Sequence, residues 1–108
     1  MKNFVQPGNT LDLTAPSGGV DAGNGYLIGA LFGVAAVTAA EGESFAFDVV
    51  GVFTLPKASG AALAEGAKAY WDSTAKNVTG TASGNTLIGH VTAAATTGDA
   101  QVSVRLAP

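Results

Sequence analysis

Three runs in this chain set a glycine inside an otherwise strand-like pattern: Ile28-Gly29-Ala30-Leu31, Val50-Gly51-Val52-Phe53 and Ile88-Gly89-His90-Val91. Each has a β-branched residue, then Gly, then a spacer and a large apolar side chain. Glycine weakens a strand interior, so it marks a bulge, a sharp bend or a close backbone approach. Three strands bent at similar points predict a small closed or half-closed barrel. Chance recurrence in a chain with 15 glycines is the competing reading.

The rest of the chain is cut into short strands by turn signals. Residues 1–6 form a short N-terminal arm bearing Phe4 and Val5, ended by Pro7-Gly8-Asn9. Thr10 to Thr14 alternates with Leu11 and Leu13 inward. Asn24-Gly25 reads as a hairpin turn, because both residues tolerate positive φ. Tyr26 to Val37 reads as an apolar strand region kinked at Gly29 and Gly33, and Ser44 to Leu55 as one clear strand ended by Pro56. Ser59 and Gly66 bracket a short helix near residues 60–65, packed closely through alanines and Leu63. Strands then follow at Ala67 to Trp71, Asn77 to Thr79, Thr86 to Ala94 and Gln101 to Leu106, the last with Val102, Val104 and Leu106 on one face. The expected fold is mainly β: one small β-barrel-like or β-sandwich domain over 1–108, with one short helix.

Charge limits what such a domain meets. Only 12% of the 108 residues are charged, against about 25% in an ordinary soluble domain. A surface so poor in charge suits burial against copies of itself or a larger assembly, though Ala, Gly and Thr also dilute a surface. The formal charge is −3, and Lys2, Lys57, Lys68, Lys76 and Arg105 are scattered, so no phosphate-tracking stripe exists and nucleic acid is not an expected partner. The chain has no cysteine, hence no thiolate metal site. No apolar leader follows Met1-Lys2. The uncharged run Ala22 to Ala40 is broken by glycines and too short for a hydrocarbon core of about 30 Å, so no membrane partner is expected.

Three segments taken in order resemble a known family: NFVQPGNTLDLTAPSGGVDAGNGYLIGALFGVA, FDVVGVFTLPKASGAALAEGAKAYWD and KNVTGTASGNTLIGHVTAAATTGDAQVSVRL. Their most specific parts are Val52 to Lys57, Gly66 with Tyr70-Trp71-Asp72, and Asn85 to Gly89. The family is the capsid decoration, or cement, proteins of tailed bacteriophages. The resemblance implies a mainly β, non-enzymatic structural protein on the capsid exterior. It would bind the major capsid protein lattice and stabilise the head, often as a homotrimer. It would reside in the host cytoplasm before assembly, or arise from a prophage. A recombinase reading finds no support, because no Gly-rich loop ends in Gly-Lys-Ser/Thr.

Residues with chemistry to offer are few. His90 is the only histidine, and no Gly-x-Ser-x-Gly elbow accompanies it. Glu41 and Glu43 read as a solvated hairpin tip before, with Asp48, a hard-cation site, and EF-hand spacing is absent. No catalytic residue, metal site or cofactor is expected. The expected oligomer or capsid contacts are Phe4, Val5 and Trp71, aromatic side chains being frequent interface anchors. Trp71 and Tyr70 also carry the alternative reading, a carbohydrate- or cell-surface-binding module on a phage particle.

Overall fold

The computed structural model describes residues 10–106. Among them lie nine strands and no helix: β1 Thr10–Thr14, β2 Gly25–Ile28, β3 Leu31–Ala35, β4 Ser44–Asp48, β5 Gly51–Pro56, β6 Lys68–Asp72, β7 Asn77–Thr79, β8 Thr86–Val91 and β9 Gln101–Leu106. All pairings between strands are antiparallel. One sheet has the order β1-β4-β3-β2, the other β5-β9-β8-β6-β7. The second sheet rolls until Lys57, one residue past β5, forms a parallel bridge with Val78 of β7. A half-barrel results, as expected, although of the three glycines behind that expectation Gly29 lies in a turn and Gly51 opens β5, leaving only Gly89 inside a strand.

The short helix expected near residues 60–65 is absent. One or two turns of helix are marginal in water, and here the backbone pairs sideways instead. Leu63 and Ala95 exchange hydrogen bonds at 2.9 and 2.8 Å. Gly60 and Gly66, at φ +78° and +83°, are corners of tight turns closed by Ala61 N to Ala58 O and Ala67 N to Ala64 O. The Ser and Gly signals were turn chemistry, which a helix cap imitates.

Two strand boundaries also differ. Ser44 to Leu55 is not one strand; it breaks at Val49-Val50, where the chain leaves the first sheet for the second. The hairpin turn lies at Gly29-Ala30 between β2 and β3, not at Asn24-Gly25. Asn24 instead closes a turn with Asp21, and Gly25 opens β2. Gly33 bends nothing. It lets β3 approach β4, since a Cβ there would lie 2.6 Å from the Asp48 carbonyl oxygen and 2.8 Å from the Phe47 ring.

The two sheets are built on one plan. In the first, β1, β2, β3 and β4 stand where β5, β6, β8 and β9 stand in the second. Val20 and Ala39 exchange backbone hydrogen bonds as Leu63 and Ala95 do. Gly23 N donates to Ala35 O and Ala35 N to Asn24 O; Gly66 N donates to Val91 O and Val91 N to Ala67 O. Ala15 N donates to Glu43 O, and Lys57 N to Ala100 O. Even a side-chain bond recurs: the Glu43 carboxylate accepts from Ala40 N and the Asp99 carboxylate from Thr96 N, each at 2.8 Å. The chain is one four-stranded unit used twice, with β7 added to the second.

Burial follows the alternation read from the sequence. Phe45 and Phe47 with Ala35, Val20 and Ala39 fill the first unit. Leu55, Leu63, Trp71, Val91, Val102, Val104 and Leu106 fill the second. The opposite face of β3 offers Phe32 and Val34 to this second core, so one unit plugs the other. The Phe32 and Trp71 ring centroids are 4.8 Å apart at 49°, within the range of favourable aromatic pairs.

Candidate functional site

Of the expected contact residues, Phe4 and Val5 lie outside the described residues. Trp71 alternates inward on β6 and is 3% exposed. It packs against the Phe32 ring, which leaves little surface for a sugar to stack on. Tyr70, its neighbour, is half-buried.

The acidic residues are kept apart. Glu41 accepts from Gly18 N at 3.0 Å, Glu43 from Ala40 N at 2.8 Å and Asp48 from the Thr10 hydroxyl at 2.6 Å. Each carboxylate is thus occupied in its own turn or strand pair. Among the described residues no group of three His, Cys, Asp or Glu converges as a metal ion would need. No helix among them is long and apolar enough to cross a membrane.

Two surface features remain. The first is a groove of about 580 Å³ where the units meet. Pro16 and Asp21 of the loop after β1, Tyr26 and Leu27 of β2, and Trp71 and Lys76 of the second unit line it. Its polar side chains are the carboxylate of Asp21, the ammonium of Lys76, the Tyr26 phenol, the Asn24 amide and the hydroxyls of Ser17 and Ser73. The phenol is engaged, accepting from Asp21 N at 2.8 Å. Such a lining, mostly loop backbone and small polar side chains, suits recognition of shape and backbone.

The second is a row across the outer face of the second unit. Cross-strand register sets Val52 beside Arg105, Arg105 beside His90, and His90 beside Lys68. All four are exposed, Val52 to 60%. The matching row of the first unit is Thr10, Asp48, Val34 and Gly25, so Asp48 stands where Arg105 does. Lys68 and Arg105 thus place two cations in one row with no carboxylate between them, a face that an acidic partner surface would complement. Sequence reading counted Lys68 and Arg105 as scattered and His90 as a lone strand histidine, because register alone brings positions 68, 90 and 105 together. The exposed apolar residues Val50 and Val37, 49% and 47% exposed, add to the uncommitted surface.

The sequence matches the family model described as phage cement protein over residues 5–106. No curated protein and no solved structure matches it.

Proposed function

The chain belongs to the phage cement protein family, and from that premise we propose that it is a non-enzymatic protein that binds the outer surface of a phage capsid and stabilises the head lattice. The observation that supports this is the family match over nearly the whole chain. Its mechanism is cross-bridging. Many copies, each weakly held, are multiplied by lattice symmetry, so that rupture must break several contacts at once. The chain acts with copies of itself, as a homotrimer, on the major capsid protein lattice. The arm of residues 1–6, with Phe4 and Val5, reaches a neighbouring subunit. The row Lys68, His90 and Arg105, edged by Val52, is the face offered to acidic groups of the shell. Low charge and exposed valines suit a surface that spends its working life covered.

The test is direct. Purified protein is mixed with heads that lack it, and occupancy and rupture temperature are measured. Saturable binding with a raised rupture temperature is expected; no binding overturns the reading. Light-scattering mass in solution checks the trimer separately.

A further inference from the structure

The duplication within the chain shows what the groove is for. In the second unit, the edge strand β6 is covered by β7, with Trp71 opposite Val78, Tyr70 opposite Thr79 and Asp72 opposite Asn77. Val78 is fully buried there, flanked by the loop after β5 through the Lys57 bridge and Ala58 N to Val78 O at 2.8 Å. In the first unit the equivalent edge strand is β2, and the equivalent loop begins at Ala15-Pro16. Between β2 and β3 stand only Gly29 and Ala30, where the second unit has residues 73–85 and β7 within them. Among the described residues β2 pairs with β3 alone. Its other edge borders the groove, which Gly25, Tyr26, Leu27 and Pro16 line. An uncovered edge of a sheet is a template for a further strand, and strand addition is an established way to bind an extended peptide.

We propose that the β2 edge is a docking site for an extended segment, and that its occupant is the arm of a second copy of this chain. The arm's sequence matches the strand that fills the same place in the second unit. Lys2-Asn3-Phe4-Val5 repeats the order of Lys76-Asn77-Val78-Thr79: lysine, asparagine, an apolar residue, a β-branched residue. Laid over β7, Phe4 faces Ile28, the counterpart of Trp71, and Val5 faces Leu27, the counterpart of Tyr70. Val5 then stands over Leu27, which lines the groove, and Phe4 over Ile28, which packs against the core of the first unit.

Geometry decides whose arm it is. A strand in this position runs parallel to β1, as β7 does to β5, with Phe4 level with Ala15 and Val5 one step beyond. Val5 then lies about 20 Å along the strand direction from Thr10 of the same chain, six residue steps away. Only five steps of backbone join Val5 to Thr10, spanning about 17 Å when fully extended. A chain's own arm falls short, which leaves the arm of a second copy as the occupant proposed. One anchor is weaker than in the second unit, because Pro16 stands where Ala58 donates and has no N–H. The added strand is held by the β2 ladder and the burial of Phe4.

This deepens the self-contact part of the proposed function and is tested without capsids, so the two fail separately. The chain has no cysteine, which makes disulfide trapping clean. Full-length Val5→Cys is mixed with size-tagged full-length Leu27→Cys and oxidised. Residues directly opposite on paired strands lie within disulfide reach. Mixed dimers are expected at about tenfold the level formed by Val5→Cys with a distant Thr97→Cys partner, reflecting the locally raised concentration. Phe4→Cys with Ile28→Cys is the second pair, should Leu27→Cys not fold. Mixed dimers no more abundant than the control, or a Val5→Cys/Leu27→Cys double variant that closes on itself as a monomer, would overturn the proposal. Head binding that persists in that case leaves the capsid reading standing.

Discussion

Lys57 is the residue whose place the sequence hid. It closes the Val-Phe-Thr-Leu-Pro-Lys run and looks like one more scattered base, yet it is 5% exposed. Its ammonium donates to the carbonyls of Ala58 and Ala61, pinning the turn that replaces the expected helix. The matching residue of the first unit is Ala15, whose turn is closed by Gly19 N to Pro16 O and Gly18 N to Glu41 instead. Replacing Lys57 by Met keeps the stem and removes both charge-assisted bonds. Urea unfolding of Lys57→Met is expected to show a loss of about 1–3 kcal/mol. Gly33 tests the close approach of β3 and β4. A methyl group there meets backbone that cannot rotate away, so Gly33→Ala is expected to cost about 1–3 kcal/mol in the same assay. Neither effect is readable from one sequence. The burial of Lys57 depends on a turn five residues long, and the crowding at Gly33 on a strand fourteen residues away.

At the level of elements, alternation was the reliable guide. Leu13, Phe45 and Phe47, and Val102, Val104 and Leu106 face the cores as their spacing requires, and Leu11 is half-buried. Spacing does not say which strand pairs with which. The break at Val49-Val50 and the shared plan of the two sheets appear only once register is fixed. The segment from Ala58 to Ala67 failed for another reason: Ser, Gly and Ala suit a capped helical turn and a pair of tight turns equally, and the Leu63–Ala95 pairing comes from outside the segment. Two measurements check the corrected element. Far-ultraviolet circular dichroism is expected to show a β-type minimum without the helical double minimum. Leu63→Ala, at a position 4% exposed and pinned by that pairing, is expected to lower stability by about 2–4 kcal/mol.

Over the whole molecule, the two units are joined through Phe32 and Val34, which β3 of the first unit sends into the core of the second. The two are expected to unfold together, and Phe32→Ala is expected both to destabilise by about 3–5 kcal/mol and to separate the transition into two, seen as a calorimetric enthalpy no longer equal to the van't Hoff value. The sharing was invisible in the sequence, where Phe32 reads as one more apolar strand residue. The sign change between Asp48 and Arg105 has a consequence of its own at this scale. Five of the eight acids and only Lys2 among the bases precede Gly51, while three acids and four bases follow it. One unit is thus net −4 and the other net +1. A molecule so divided is an electric dipole along the line joining its units, although its total charge is modest. Near a charged surface such a molecule is turned as a whole before any side chain touches, within a Debye length of about 8 Å at physiological salt. Orientation is then settled by the field, and contact has only to hold what already faces the right way.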